Sequence, residues 1–246
     1  MVTATHVVEP NLPGGHDSYV NLGTFYDSAR LEKRRAELLE FTSRYKSAYK
    51  NAYKFLAAAG ALNMDSSHTG SKDAISAAVN NCLSLLPVTV DTNAKTRHCF
   101  VDTFCSKGHL SLLEDFENWK FFNINASDSA GDIVLKELSR ILAENCCGVF
   151  CAYSPFSPKM MRHLIIPCHK IIFTLDKAPG YLCAAAISHP KVSSKICCRH
   201  DDLISSAKEM MYMAKRAHDA LEEVYNPCVD FSGIHAEARK HIGIIL

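Results

Sequence analysis

Two short apolar runs constrain this chain most: Gly148–Tyr153 (G-V-F-C-A-Y) and Ile171–Leu175 (I-I-F-T-L). Each is short for a helix and too continuously apolar for a strand with one wet face. Both therefore read as strands buried on two faces, the habit of a sheet covered on both sides. Between them, Ile133, Leu135, Leu138, Ile141 and Leu142 recur at helical spacing and predict a helix over 131–144. Cys99–Phe104 and the aromatic segment Phe116–Ile124 are further candidate strands, and Pro158–His163 reads as one helical turn. A long helix is predicted over 201–225, stopped before Pro227, and a last one over 232–243. Strands alternating with helices predict an α/β fold, a parallel sheet with helices on both faces.

A helical segment precedes this pattern. After a stretch broken by Pro10, Pro13, Gly14, Gly15 and Gly23, a long helix is predicted from Ser28 to Ala59. Asp27 or Ser28 caps it, Gly60 ends it, and Leu31, Leu38, Phe41, Tyr45, Ala48, Ala52 and Leu56 form its apolar stripe. Tyr45, Tyr49 and Tyr53 fall on nearly one side, a packed face with hydroxyls reaching water rather than a platform for stacking bases. Residues 63–72 are a polar loop. A second helix over 72–86 carries Ile75, Val79, Cys82 and Leu86 and ends at Pro87; the polar stretch 87–97 is the natural boundary.

Charge narrows the function classes. Of 246 residues, 27 are Lys or Arg and 26 are Asp or Glu, and no basic run exceeds Lys33-Arg34-Arg35. A chain so balanced offers no electrostatic footprint for nucleic acid or an anionic membrane. No secretory leader or membrane span is legible, so a cytoplasmic location with reduced thiols is expected. Eleven cysteines and twelve histidines raise the question of metal. No C-x-x-C occurs, and Cys146, Cys147 and Cys151 flank or occupy a predicted core strand, which favours core filling over any metal site. Zinc held by Cys147, Cys151, Cys198 and His200, or a reactive Cys198 beside Arg199 and His200, are the thiol-based alternatives. The neighbouring pairs His16-Asp17, His200-Asp201 and His218-Asp219 do not form a catalytic pattern, and no G-x-S-x-G motif is present.

Ligands of open α/β sheets bind beyond the carboxyl ends of the strands. The first such end here is a small-residue segment opening a helix, the layout of a phosphate-binding loop. Laid on Ala126, Ser127, Asp128, Ser129, Ala130, Gly131, Asp132 and Ile133, the pattern G-x-x-x-x-G-K-[ST] keeps only its second glycine, Gly131. Ala126 replaces the first glycine, Asp132 the lysine and Ile133 the hydroxyl. An aspartate there repels a triphosphate, and isoleucine ligates no magnesium. The run K-I-I-F-T-L-D ends in Asp176, placed like the acid that orders magnesium in such proteins, or simply an acid capping a buried strand.

Several segments then point one way: T-A-T-H-V-V-E-P at 3–10, V-N-L-G-T-F-Y-D at 20–27, Y-K-N-A-Y-K-F-L-A-A-A at 49–59 and R-H-C-F at 97–100. Further along are Y-S-P-F-S-P-K at 153–159, H-L-I-I-P at 163–167, A-K-R-A-H-D-A-L-E-E-V-Y-N-P at 214–227 and D-F at 230–231. In order and spacing these resemble a family of bacterial proteins with two tandem P-loop ATPase-like domains, described as ATPases or nucleotide kinases of spore-forming Gram-positive bacteria. The resemblance implies that residues 1–86 correspond to the helical tail of a first ATPase-like domain, and residues 97–246 to a second P-loop NTPase-like domain with a degenerate loop. It implies ATP and Mg2+ as cofactors. It also implies that the first domain's phosphate loop lies upstream of Met1, as in a truncated relative or a piece of a split gene. On that reading the stripe of the 28–59 helix has lost its sheet, which predicts a homodimer or a partner chain supplying the missing domain. The leading functional expectation is a nucleotide-fold protein with weak or lost nucleotide binding that works by association. An active ATPase or nucleotide kinase with a non-standard loop, its lysine supplied by a partner chain, is the alternative.

Overall fold

The computed structural model describes residues 20–64, 70–87, 95–145, 148–188 and 194–245. They belong to two units, one running from Arg44 to Arg216 and the other made of the described residues up to Ser43 and from Ala217 onward. Residues 65–69 of the polar loop at 63–72 and residues 88–94 of the linker at 87–97 fall outside the described residues.

The larger unit is built on a six-stranded sheet. Its strands are β1 (Thr96–Cys99), β4 (Lys120–Asn125), β5 (Val149–Tyr153), β6 (Met161–Ile166), β7 (Ile171–Thr174) and β8 (Leu182–Ala186), in the order β1-β5-β6-β7-β4-β8. All neighbours run parallel except β6, which is antiparallel to both β5 and β7. The sheet is thus mixed, and the expected α/β class holds while the uniformly parallel sheet does not. Pro158–His163, read as a helical turn, contributes instead to β6. The run Leu164-Ile165-Ile166 pairs on both sides and leaves no exposed helical face to solvate.

One face of the sheet is covered by α3 (Lys72–Ser84) and α4 (Asp128–Glu144). Phe122, Ile124, Leu164, Ile166 and Phe173 meet Val134, Leu135 and Leu138 of α4 in the main core. Ser127 caps α4 by accepting from the Ala130 amide, and its outer face carries the ion pairs of Arg140 with Glu137 and Glu144. Gly131 lets the helix close on the sheet, since a Cβ there would lie 2.3 Å from Leu175 Cδ2.

The opposite face is covered differently from expectation. A hairpin of β2 (Asp102–Cys105) and β3 (Gly108–Ser111) lies over it, packing Val101 and Leu113 on Ala152, Ile165 and Ile172. The chain from β7 to β8 crosses β4 without a helix, and Tyr181 in this crossing stacks on Phe121 with ring centroids 4.7 Å apart.

The long helix also departs from expectation. It is two helices, α1 (Ser28–Lys33) and α2 (Arg35–Met64), interrupted at Arg34, and it runs through Gly60 rather than stopping there. Gly60 serves close approach: a Cβ would come within 2.9 Å of the Phe156 carbonyl oxygen. The part of the stripe within the larger unit is covered there: Ala52 and Leu56 pack on Phe104 and on Ala207 and Met211 of α5 (Ser194–Tyr225). Tyr49 joins that cluster and stacks on Tyr53, whose ring is exposed. Over this part of the helix no open stripe is left for a dimer to cover.

In the smaller unit, Asp27 caps α1 through the Arg30 amide, and Tyr26 bridges to Val229. Its last helix, α6, spans Phe231–Ile245. Among the described residues no helix is long and apolar enough to cross a membrane.

Candidate functional site

A cavity of about 520 Å³ opens at the carboxyl ends of β5 and β7 and the start of α4, where open α/β sheets take their ligands. Asp128, Arg162, Asp176, His109, Ser154 and His200 are among its walls. Two of the residues singled out in the sequence, Asp128 and Asp176, therefore face one space. Arg162 joins them: its Nε and terminal nitrogen reach Asp176 Oδ1 at 2.8 and 2.6 Å, and its other nitrogen lies 3.4 Å from Asp128 Oδ1. Burial works against the Arg162 charge, but the two carboxylates more than offset it and hold the guanidinium protonated. The Asp176 carbonyl accepts from Asn123 Nδ2 at 2.7 Å, fixing the turn after β7 to β4.

The rest of the loop candidate is absorbed into the fold. β4 ends at Asn125 and α4 begins at Asp128, so only Ala126 and Ser127 connect them. Residues 128–133 form the opening turns of the helix. The amides of Ala130 and Gly131 are bonded to the side chain and carbonyl of Ser127. Ala130 and Gly131 are buried, Ser129 is half-buried and Ile133 is exposed. Asp132 accepts from the Met161 amide at 2.7 Å and pairs with Lys136 at 2.7 Å.

Behind the Asp176 wall lies a buried polar group that the sequence reading did not assemble. His163 and Thr174 are register partners on β6 and β7, facing the hairpin, and Asp102 on β2 comes down onto them. His163 Nδ1 is 2.8 Å from Thr174 Oγ1, and Nε2 is 2.5 Å from Asp102 Oδ2. Thr174 Oγ1 also accepts from the Asp176 amide at 2.9 Å. Both side chains of the Asp102–His163 pair are fully buried. Burial pushes the Asp102 carboxyl up, yet the hydrogen bond from His163, the nearby Ser111 and the charges of His163 and His109 hold it below its ordinary value. Asp102 Oδ1 makes no close hydrogen bond: Ser111, the register partner of Asp102 across the hairpin, stands near it, and His109 Nε2 lies 3.7 Å away. The available signal was weak, a His before an apolar run and an Asp inside a predicted strand; only the hairpin's docking brings them together.

The thiol alternatives divide. Cys151 is buried on β5, 3.1 Å from Ser139 Oγ, and burial pushes its thiol up, so it packs rather than reacts. Cys197 and Cys198 are exposed on α5, and Cys146 and Cys147 lie outside the described residues. The groups able to gather on an ion among the described residues contain no cysteine; they are Asp102, His163 and Asp176, and His218, Asp219 and Glu222.

Compared with protein-family models, with curated proteins and with solved structures, the chain matches none.

Proposed function

We propose that this chain is a P-loop NTPase-like protein that has given up productive nucleotide binding at residues 126–133 and works by binding a ligand in the cleft between Asp128, Arg162 and Asp176. The observation that carries the reading is the use made of Asp132. At the position where a phosphate loop needs a free lysine, its carboxylate is tied to the Met161 amide and to Lys136. A two-residue connection also leaves no room for a cradle of free amides. Asp176, the acid that would order magnesium, is engaged with Arg162 instead.

Titration calorimetry of the full chain with ATP·Mg2+ tests this. No saturable heat up to millimolar nucleotide is expected. Micromolar binding would overturn the reading in favour of an ATPase or nucleotide kinase with a non-standard loop.

A further inference from the structure

We propose that Asp102, His163 and Asp176 form a binding site for a divalent transition metal of the Zn2+ class, with His109 beside it at the cavity wall, 3.7 Å from Asp102 Oδ1. The site shares Asp176 with the cleft of the proposed function and uses no residue of 126–133.

Four observations carry it. Ligand atoms of Asp102, His163 and Asp176 all lie within 4.8 Å of one another. Zinc bonds near 2.1 Å place tetrahedral donors about 3.4 Å apart. The observed His163 Nε2 distances of 2.5 Å to Asp102 and 4.0 Å to Asp176 lie on either side of that spacing. Second, the Asp102 side chain is fully buried and its Oδ1 makes no close hydrogen bond, only the 3.7 Å approach of His109, a costly arrangement that a divalent cation would relieve.

Third, the groups that would orient the ligands are in place. Thr174 Oγ1 sits on His163 Nδ1 and also takes the Asp176 amide, so one buried hydroxyl pins both ligand residues. With the ion bound, the imidazole carries its proton on Nδ1 toward Thr174, which frees Nε2 for the metal. Arg162 occupies Asp176 Oδ1 and leaves Oδ2 turned toward His163. Fourth, the charge matches. With His163 neutral, Asp102, Asp128 and Asp176 face one guanidinium, leaving two negative charges, those of one divalent ion. A nitrogen donor among carboxylates favours zinc-class ions over magnesium. Access runs through the cavity, whose wall includes Asp176 and His109.

The test is titration of the metal-stripped full chain with Zn2+ by calorimetry and with Co2+ by absorption. One ion per chain is expected, with cobalt d–d bands and no thiolate-to-cobalt charge transfer. Asp176→Asn should weaken binding at least tenfold and His109→Ala several-fold, with circular dichroism checking that each variant is folded. Zn2+ should raise the unfolding midpoint of the native chain by several degrees and that of Asp176→Asn by much less. The proposal is overturned if neither ion binds at tens of micromolar. Strong thiolate charge transfer would overturn it by assigning the ion to the cysteines. Unchanged affinity in both variants would overturn it as well.

Discussion

Replacing Asp132 by alanine isolates the group on which the functional reading turns. Its side chain is only 18% exposed, and Oδ1 takes the Met161 amide at 2.7 Å, stitching α4 to the head of β6. A hydrogen bond to a charged acceptor contributes about 1.5–3 kcal/mol. The Lys136 pair is i, i+4 and half exposed on the lysine side, which adds about 0.3–0.5 kcal/mol. Alanine returns roughly 0.5 kcal/mol of helix propensity over aspartate. The amide term dominates, and a net loss of about 1–3 kcal/mol is expected. Asp132→Asn keeps a neutral acceptor and should lose about half as much. Asp132→Lys should lose at least as much as alanine, because a second ammonium then faces Lys136 one turn on. Urea unfolding followed by circular dichroism, at unchanged m-value, measures all three. An alanine variant within about 0.5 kcal/mol of the native chain would refute the claim that this carboxylate is structural.

Other outcomes follow from the same geometry. Gly60→Ala puts a methyl against the Phe156 carbonyl oxygen, a backbone atom that cannot swing aside. A loss of about 1 kcal/mol is expected even though alanine is the better helix former, and a stabilised variant in urea would contradict the close approach. Ser127→Ala should cost about 1 kcal/mol by uncapping α4; an unchanged midpoint would show that another group serves the Ala130 amide. Burial pushes the Cys82 thiol from 9.0 up to about 12. The unfolded chain then gives up this proton first, so the contribution is intact below pH 9 and is lost as pH rises from there toward 12, by about 1.4 kcal/mol per pH unit at most. Cys82→Ala should flatten the alkaline fall in stability between pH 9 and 10.5, and an identical slope would count against it.

Local pattern carried the elements whose burial is repetitive. β5 and β7 stood out as uninterrupted apolar runs, and α4 through Leu135, Leu138 and Leu142, because each is fixed by what water must not reach. β6 was misread because Met161-Arg162-His163 breaks its apolar pattern with two residues that answer to distant partners, Asp176 and Asp102. β8, Leu182–Ala186, is a short edge strand with little buried surface, and the β2–β3 hairpin gains its core face only on docking. Gly60 looked like a helix stop because propensity is local, while its use is a carbonyl from another segment.

By itself, then, the sequence determined an α/β class, the positions of β5 and β7 and the absence of a lysine and hydroxyl at 132 and 133. Those follow from side-chain chemistry and period, which need no partner. Tertiary structure decided the antiparallel β6 and the covering of part of the helical stripe by α5. It also decided that Asp132 is a structural acceptor and that Asp102, His163 and Asp176 share one buried corner. Each of these depends on residues tens of positions apart meeting at bonding distance, and chain closure sets that, not periodicity.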